Sequence, residues 1–447
     1  MPDHVYKSEF LRDMHWRGQI SQITSPQEFD AHLCAGPAAA RKAYAGFDPT
    51  ADSLTIGNLV TIMALVRFAK AGHTPIVVVG GGTGLIGDPS GKSAERQLLT
   101  PERVDQNVQG QRRIFDAIWR NAGLGTPPIR NNYEWLKNLS YLDALRDVGK
   151  YFSVNMMIQK DSVKDRLHNR DQGISYTEFS YMILQAYDYH YLWKESNVTL
   201  QMGGSDQFGN IVCGLDLIKR HASLDAEAKG LADAPRVDAF GLTWPLITKA
   251  DGGKFGKTES GAVWLTPDRT SPFAFYQFWL NSADADIPKF LRTFTLLPHA
   301  EIEQLEAAHA SDPAKRDAHR ALARHMTTLL HGQAATDDAE AAAKTLFSGE
   351  VAGLPEATLR EVFSQVPATE HDKATLAAGV PILDLLVTTK LAASKREAKE
   401  FLAGGSVLIN GTRKATADGT LTPADLLHGS MILIRRGKKN WHLTSWK

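Results

Sequence analysis

The sequence has few cysteines and no long apolar run. Cys34 and Cys213 are its two cysteines in 447 residues, so a disulfide framework is excluded and a reducing compartment is favoured. No apolar run is long enough to span a bilayer, and the first residues lack the apolar core of a secretion signal. We therefore expect a cytoplasmic protein without a membrane segment.

Metal-ligand spacing and sequence repeats are also lacking. Fifteen histidines are scattered along the chain without the close His/Cys spacing of a zinc site, so we expect none of them to hold a metal. The chain shows no internal repeat and no low-complexity tract. At 447 residues it is too long for one hydrophobic core, and we expect two or three domains.

The formal net charge of zero conceals an asymmetry. Residues 381–447 contain eleven Lys and Arg against five Asp and Glu, which leaves the preceding residues net negative. Basic groups such as Lys395 with Arg396, and the run at 435–439, are typical of a surface that binds a phosphate backbone. A tail that only aids solubility could have the same charge. Apolar helical faces and strand-like segments favour a small folded unit over such a tail: 382–386, 398–402, 406–411 and 431–434.

A short loop carries two lysines around a glycine. Lys254 and Lys257 flank Phe255 and Gly256, after an apolar run. Glycine lets the backbone close around a ligand, and each ammonium is a compact positive charge suited to a reacting phosphate. The loop is therefore a candidate clamp on a polyphosphate, although by itself the pattern is more often a solvated turn.

An earlier segment predicts the start of a nucleotide-binding βαβ unit. A short apolar strand precedes an Asp-Pro-Thr break, and helical spacing of apolar residues begins at Leu59, with Asp52 or Ser53 as the expected N-cap. A second strand is predicted at 75–79. The helix N-terminus of such a unit offers free N–H groups to a phosphate, and Gly57 in its first turn would admit a nucleotide. A glycine tolerated for packing would look the same.

Two further glycine-rich segments need interpretation. Residues 82–87 fit the G-x-G-x-x-G pattern, which makes a nicotinamide or flavin enzyme a rival hypothesis. That pattern must open a helix, whereas Asp88 and Pro89 would break one. Residues 203–210 follow a predicted strand at 198–202 and bring a carboxylate and amides to its carboxyl end. Such an edge suits a sugar hydroxyl or an ammonium group, although a plain strand-to-helix turn looks similar.

Five segments, in order, resemble the class I aminoacyl-tRNA synthetases, and specifically the bacterial tyrosyl-tRNA synthetases. They are residues 47–54, 84–90, 179–188, 203–207 and 254–259. The resemblance implies an α/β fold with a Rossmann-like, parallel-sheet catalytic domain that carries an inserted dimer-interface segment. An α-helical anticodon domain and a small α+β RNA-binding domain, similar to a ribosomal small-subunit protein fold, would follow.

The resemblance also implies domain bounds, an activity and partners. The expected division is a catalytic domain at 1–250 with the insertion at about 115–195, a mobile lysine loop at 251–261, an anticodon domain at 262–347, a linker at 348–379 and a C-terminal domain at 380–447. The implied activity is ATP-dependent ligation of tyrosine to tRNA(Tyr), through a tyrosyl-adenylate and with release of pyrophosphate. ATP with Mg²⁺, a homodimer and no tightly bound protein metal are also implied.

A tyrosine-binding set follows from the same resemblance. Tyr44 and Asp188 would hold the phenol hydroxyl, one donating and one accepting, and phenylalanine would leave both unpaired, a discrimination of about 10⁴- to 10⁵-fold. This pair favours a phenol over the indole of a tryptophan-specific relative. Tyr181, Gln185 and Asp188 recur at helical spacing, which an ordinary aromatic core helix could also show. The ammonium group would be bound by Asp88, Tyr181 and Gln185, and the carboxylate by Gln207.

The nucleotide side is implied in the same way. The expected ATP-binding residues are Gly46, Asp48, Gly57, Thr61, Gly204, Asp206 and Lys257. The expected catalytic residues, which would stabilise charge on the reacting phosphate, are Thr50, Thr55, Asn58, Lys92, Arg96, Lys254, Lys257 and Thr258. No side chain needs to act as a nucleophile, because the tyrosine carboxylate attacks the α-phosphate of ATP.

One segment departs from the family's pattern. Thr55, Ile56, Gly57 and Asn58 stand where the family usually has His-Ile-Gly-His. The Asn58 amide can still donate a hydrogen bond, but Thr55 is shorter and carries no potential charge. Either Thr55 reaches the phosphate directly or through water, or the lysine loop carries more of the transition state, or activation is slow. An RNA-binding protein with a decayed synthetase site is the corresponding alternative.

Overall fold

In the computed structural model, a six-stranded sheet is the centre of the N-terminal half. Its strands are β1 (Gln22–Ile23), β2 (Lys42–Phe47), β3 (Thr74–Val79), β4 (Ile129–Asn131), β5 (Val198–Gly204) and β6 (Phe240–Trp244), in the order β1-β6-β5-β2-β3-β4. Strands β2 to β6 run parallel, and β1 pairs antiparallel with β6. The predicted strands at 75–79 and 198–202 are therefore confirmed as β3 and β5.

The structure describes most of the chain. Outside the description lie residues 1–3, 38–40, 88–98, 161–162, 165–166, 168–172, 232–235, 251, 254, 259–260, 349–350, 352, 365, 414–418 and 438–439. The chain divides into two units, Met1–Thr270 with Ser282–Leu330, and Ser271–Asn281 with His331–Lys447. Among the described residues, no helix is both long and apolar enough to cross a membrane.

Helices cover the sheet of the first unit. They are Glu9–Trp16, Pro26–Cys34, Leu59–Lys70, Pro101–Asn121, Tyr133–Leu136, Tyr141–Asp143, Val154–Ile158, Tyr176–Ser196 and Phe208–Ala228. The helix Leu59–Lys70 is buried almost all round, because it packs beside strands β2 and β3. Its long apolar run therefore faces protein on several sides.

The start of that helix differs from the expected N-cap. A 3₁₀ turn at Ile56–Asn58 precedes it, and Thr55 is the extended residue at its beginning, with φ −93° and ψ 164°. The backbone N–H of Thr55 donates to Asn58 Oδ1 at 3.0 Å. Thr55, rather than Asp52 or Ser53, is therefore the capping residue, because the extra 3₁₀ turn moves the helix start along the chain.

The first unit also contains a hairpin and a group of helices after the lysine loop. The hairpin pairs β7 (Lys257–Thr258) with β8 (Gly261–Ala262). The helices are Ile287–Phe294, His299–Ser311 and Asp317–His331, preceded by a 3₁₀ turn at Asp284–Asp286. The range 262–347, expected to be one helical domain, is thus divided, since its helices Pro272–Leu280 and Gln333–Ser348 fall in the second unit.

The second unit ends in a small α+β fold. Five strands lie in the order β12 (Thr412–Arg413), β11 (Val407–Ile409), β14 (Met431–Arg436), β15 (Asn440–Trp446) and β9 (Ala368–His371). A second pair joins β10 (Val380–Pro381) to β13 (Thr420–Leu421). The remaining helices are Glu356–Val362, Lys373–Ala377, Ile382–Thr388 and Lys395–Ala403. The predicted helical faces and strands of the C-terminal region are confirmed.

The segment expected to be a linker is folded where it is described. Within residues 348–379, strand β9 pairs in parallel with β15. The helix Glu356–Val362 in the same range buries Leu359 and Val362. These side chains pack with Leu433 and Trp441 of the C-terminal sheet. Sequence reasoning missed this because elements of four to seven residues leave little periodicity to read.

Candidate active site

Several of the expected site residues that the structure describes lie at the carboxyl edge of the central sheet. Strand β2 lies between β5 and β3, so the connections leave in opposite directions on its two sides. In open parallel sheets a ligand crevice forms outside the carboxyl ends of the strands at such a switch point. Asp48 follows β2, and Asp206 and Gln207 follow β5. The carboxyl edge around β2 is therefore the candidate place for such a crevice.

The hydroxyl group of Tyr44 is buried in this part of the structure. The side chain lies on β2 and is only 2% exposed, with its ring 5.6 Å from that of Tyr189. Within the described part of the chain its hydroxyl has no hydrogen-bond partner. Burial raises the pKa of Tyr44 well above its usual value, and the nearby charge of Asp188 raises it further. A buried, unpaired hydroxyl beside a carboxylate is a ready site for a polar group of a ligand.

Asp188 lies on the helix Tyr176–Ser196 and is held by two donors. Trp135 Nε1 donates to Asp188 Oδ1 at 2.7 Å, and Asn132 Nδ2 donates to Asp188 Oδ2 at 2.9 Å. Burial raises the pKa of Asp188 to about 7, and the charge of Asp48 adds to this, whereas the two donors act in the opposite direction. The carboxyl is therefore poised between its neutral and charged forms near neutral pH.

Asn132 and Trp135 are site residues that sequence reasoning missed. They follow the short strand β4, which pairs with β3 and so ends at the same edge of the sheet as β2. Polar residues after a predicted strand are the signal that indicates the segment 203–210. The strand itself has only three residues, so it was not recognised and its polar end was not read.

A chain of hydrogen bonds runs from Asn132 to Tyr181. Asn132 Nδ2 also donates to Thr83 Oγ1 at 3.0 Å, and Thr83 Oγ1 donates to Asp48 Oδ1 at 3.0 Å. Tyr181 donates to Asp48 Oδ2 at 3.1 Å. A side chain at Gly80 would collide with both Asp48 and Thr83, so this network needs a glycine there. Asp48 is thus brought to Tyr181, one of the residues expected to bind the ammonium group.

Amide side chains form the next part of the wall. Gln185 Nε2 donates to Gln207 Oε1 at 3.2 Å, and Asn210 Nδ2 donates to Gln185 Oε1 at 2.9 Å. Gln207 Nε2 in turn donates to Asp206 Oδ2 at 3.3 Å. Side-chain hydrogen bonds therefore join the helix Tyr176–Ser196 to the residues that follow β5. Asn210 takes part in them, although the sequence analysis did not predict it as a site residue.

The residues expected to bind the nucleotide and its phosphates are more exposed. Gly46, Thr50 and Gly57 are exposed, and Thr61 is half-buried. A Cβ atom on Gly46 would meet no atom within 4 Å, so a ligand has room beside the backbone there. Gly204 ends β5, where a side chain would meet Asp206. Backbone glycines at strand ends are suited to close approach by a nucleotide.

Thr55 and Asn58 are paired with each other. Thr55 Oγ1 donates to Asn58 Oδ1 at 3.1 Å, and the same oxygen accepts the Thr55 backbone N–H. Because both contacts use the amide oxygen, the amide nitrogen of Asn58 keeps two N–H groups to offer to a ligand. Thr55 therefore orients Asn58, the donor expected at this position.

Hydrogen bonds through Val263 connect the lysine loop to the segment Thr55–Asn58. Ile56 N donates to Val263 O at 2.9 Å, and Val263 N donates to Gly256 O at 3.1 Å. Gly256 has φ +84°, and a side chain there would collide with Ile56. The Phe255 ring lies 5.1 Å from those of Phe290 and Phe294. Gly256 thus lies beside Ile56, whereas Phe255 packs against the helix Ile287–Phe294.

Four of the expected residues lie outside the described residues. They are Asp88, Lys92, Arg96 and Lys254. Lys257 and Thr258 are described as the strand β7 of the hairpin. The residues brought together at the sheet edge are Tyr44, Asp48, Tyr181, Gln185, Asp188, Asp206 and Gln207.

The sequence of this chain is similar to those of known proteins. A family model described as tRNA synthetases class I (W and Y) matches residues 38–348, and one described as the SYY-like C-terminal domain of tyrosine--tRNA ligase matches residues 358–444. The tyrosine--tRNA ligase of Dechloromonas aromatica is 46% identical over 99% of this chain and 100% of its own length. That of Roseiflexus castenholzii is 48% identical over 90% of this chain and 92% of its own.

A solved structure shows the same fold. The C-terminally truncated mitochondrial tyrosyl-tRNA synthetase of Coccidioides posadasii superposes with a TM-score of 0.64 at 30% identity. The match covers 74% of this chain and 91% of that chain. The α/β architecture expected from the sequence is therefore confirmed by structural likeness as well as by sequence.

Proposed function

Because this chain belongs to the class I tRNA synthetase family that contains the tyrosine--tRNA ligases, we propose that it activates L-tyrosine with ATP and transfers it to tRNA(Tyr). The single observation that carries the tyrosine specificity is the buried hydroxyl of Tyr44 beside Asp188. The comparisons supply the reaction class, and the pocket supplies the chemistry that distinguishes one amino acid from another.

Tyr44 and Asp188 read the substrate phenol. The substrate hydroxyl accepts from Tyr44 and donates to the charged carboxylate of Asp188, which Asn132 and Trp135 hold in place. Phenylalanine fills the same space but leaves the Tyr44 hydroxyl and the Asp188 carboxylate without partners. Unpaired buried polar groups are the strongest basis for rejecting such an analogue.

The ammonium and carboxylate of the substrate lie toward the sheet edge. Gln185 and Tyr181, about one and two turns before Asp188 on the same helix, bind the ammonium group together with Asp88. Asp48 supports Tyr181 through the 3.1 Å hydrogen bond, and Gln207 supports Gln185. Gln207 also faces the tyrosine carboxylate.

The nucleotide occupies the open side of the crevice. Gly46, Asp48, Gly57, Thr61, Gly204 and Asp206 line the position of the adenosine and ribose. The tyrosine carboxylate attacks the α-phosphate, the P–O bond to pyrophosphate breaks, and ATP brings its Mg²⁺ as part of the substrate. Thr50, Thr55, Asn58, Lys92, Arg96, Lys254, Lys257 and Thr258 stabilise the charge that develops on the phosphates.

Two further surfaces fit the remaining partners. Most of the large exposed apolar side chains found among the described residues belong to the insertion: Tyr133, Tyr141, Leu142, Leu145, Val154, Ile158, Leu167 and Tyr176. Such a concentration is typical of a protein interface, which supports a homodimer. In the C-terminal unit, Arg396 and Lys395 are exposed cations that suit the tRNA backbone. Charging of tRNA for translation implies the cytoplasm as the compartment.

The direct test is tyrosine-dependent exchange of labelled pyrophosphate into ATP. Purified protein with Mg²⁺ is assayed with tyrosine, phenylalanine, tryptophan and no amino acid. Exchange with tyrosine alone is expected. Exchange with tryptophan instead would overturn the substrate assignment, and absence of exchange from folded protein would support an RNA-binding protein with a decayed site.

A further inference from the structure

A second group of polar side chains lies in the helices that follow the lysine loop. Asp284 begins the 3₁₀ turn Asp284–Asp286, His309 lies on the helix His299–Ser311, and His319 lies on the helix Asp317–His331. One ring nitrogen of each histidine and one carboxylate oxygen of Asp284 lie within 4.8 Å of one another. These three residues come from three separate elements of one unit.

Both histidines are buried with one ring nitrogen unpaired. His319 is 0% and His309 is 8% exposed. His309 Nε2 lies 2.9 Å from the backbone carbonyl of Asp284, and His319 Nε2 lies 3.2 Å from that of Ser282. The Nδ1 atoms of both rings have no hydrogen-bond partner among the described residues. A buried polar atom without a partner is unfavourable, so these two need an explanation.

The hydrogen bonds suit histidines that bind a metal. A neutral imidazole has one N–H and one lone pair, and Nε2–H given to a carbonyl leaves the lone pair on Nδ1. Metal-bound histidines commonly donate their other ring N–H to a backbone carbonyl.

An ion pair alone does not account for the cluster. Asp284 Oδ1 lies 3.2 Å from His319 Nε2, and its side chain is largely exposed. That contact uses the nitrogen that already faces the carbonyl of Ser282, so it leaves both Nδ1 atoms unpaired. A cation that takes one ring nitrogen from each histidine and an oxygen from the open carboxylate would be bound by all three side chains.

We propose that Asp284, His309 and His319 form a binding site for a divalent transition-metal ion of the Zn²⁺ class. Two imidazoles and one carboxylate are the ligand set of such ions, and water from the exposed side can complete the coordination. Mg²⁺ and Ca²⁺ are excluded as natural occupants because they prefer all-oxygen ligands. The ion joins three elements that are distant in sequence.

The site is connected to the base of the lysine loop. Asp286, at the end of the same 3₁₀ turn, accepts a hydrogen bond from the backbone N–H of Ala250 at 2.8 Å. Lys289 Nζ, just after the turn, donates to the carbonyl of Thr248 at 3.2 Å. A bound ion therefore holds in place the turn Asp284–Asp286, and residues just before the lysine loop are hydrogen-bonded to this region. Its main effect is on the stability of this region, independent of tyrosine activation.

Calorimetric titration with Zn²⁺ tests the proposal. The full chain, freed of metal with a chelator and kept in excess Mg²⁺, is titrated beside Asp284→Asn and His309→Gln. One ion per chain is expected to bind the unsubstituted protein. Each substitution should weaken binding by more than about tenfold, since loss of even an outer-shell partner weakens metal binding by about 10–100-fold. Co²⁺ should give the visible absorption of a site with nitrogen ligands, and the substitutions should remove it.

Asp312→Asn is the matched control. It removes a carboxylate from the same group of helices, but this carboxylate contacts Lys315 instead of a histidine. Zn²⁺ affinity and the Zn²⁺-induced rise in melting temperature should be unchanged in the control and lost in Asp284→Asn. Because Asp284 is exposed, Asp284→Asn should fold even where His309→Gln does not. Absence of saturable binding, or equal affinity in Asp284→Asn and the unsubstituted protein, would overturn the proposal.

Discussion

The tyrosine side and the phosphate side of the crevice are built differently. Tyr44 and Asp188 are buried on a strand and a long helix, and Asp188 is held by two donors from a third element. Gly46, Thr50 and Gly57 are exposed and lie at strand ends and turns, beside a loop that carries the two lysines. Selection of a side chain needs fixed partners in a dry pocket, whereas ATP must enter and pyrophosphate must leave.

This contrast has a kinetic consequence. Groups that hold the phenol act on both the ground state and the transition state, so their loss changes substrate affinity and discrimination. Groups that face the reacting phosphate act mainly on charge that exists only in the transition state, so their loss lowers kcat. Substitutions on the two sides should therefore differ in kind as well as in size.

Lys257→Ala should have the largest effect. We expect kcat for pyrophosphate exchange to fall by about 10²- to 10³-fold, because a preorganised charge at the reacting phosphate is lost, with little change in the KM for tyrosine. Steady-state exchange kinetics measure both quantities. Lys219→Ala, which removes an exposed lysine from the helix Phe208–Ala228, is the control and should leave both unchanged. A raised KM for tyrosine with a normal kcat would contradict the expected kinetic difference between the two sides of the crevice.

Trp135→Phe should weaken tyrosine binding by about tenfold. The substitution keeps an aromatic ring but removes the donor that lies 2.7 Å from Asp188 Oδ1, which leaves a buried carboxylate oxygen without that partner. The pKa of Asp188 should rise further above about 7, so tyrosine affinity should recover at higher pH as the carboxyl ionises. Trp193→Phe, in the same apolar cluster, is the control. Equal pH profiles for the two variants would contradict the role of Trp135.

Asp188→Asn should change how stability depends on pH. The folded-state pKa of Asp188, about 7, is above its unfolded value, so the folded protein holds an extra proton between these values. This contribution is fully present below the unfolded pKa and is lost as the pH rises through the folded pKa. Relative to the variant, the unfolding free energy of the unsubstituted protein should fall by about 1.4 kcal/mol per pH unit between these values. Denaturant titrations at several pH values measure this, and parallel pH dependences would contradict it.

Thr55→Val should have the smallest effect. Valine keeps the branched shape but removes the hydroxyl that donates to Asn58 Oδ1 at 3.1 Å, so Asn58 loses one of two contacts that orient it. Loss of about 1 kcal/mol corresponds to a fall in kcat of about fivefold. Thr55→His in the same exchange assay shows whether a charged side chain raises the rate. A fall as large as that in Lys257→Ala would mean that Thr55 contacts the phosphate itself.

The sequence predicted those parts of the candidate site whose residues form a local pattern along the chain. The strands β3 and β5 and the helical spacing of Tyr181, Gln185 and Asp188 are accessible from the spacing of residues along the chain. Asn132, Trp135 and Asn210 were not, because their positions depend on how strands and helices far apart in the chain come together.

The second unit and the proposed metal site also depend on contacts between residues far apart in the sequence. Residues 348–379 look like a linker because short elements have weak periodicity, and only pairing with β15 shows that β9 is a strand. Asp284, His309 and His319 are too far apart in sequence to show ligand spacing, and helix packing brings them together. Long-range contacts of this kind leave no signature in a single sequence.

Equilibrium binding of tyrosine and phenylalanine in the absence of ATP, to the unsubstituted protein and to Tyr44→Phe, tests the central claim most directly. The phosphate side cannot contribute to this measurement. We predict that Tyr44→Phe weakens tyrosine binding by about 10–100-fold and leaves phenylalanine binding unchanged or stronger, because the unpaired hydroxyl is gone. Unchanged tyrosine affinity and unchanged discrimination in a folded variant would contradict the assignment of this pocket to the substrate phenol.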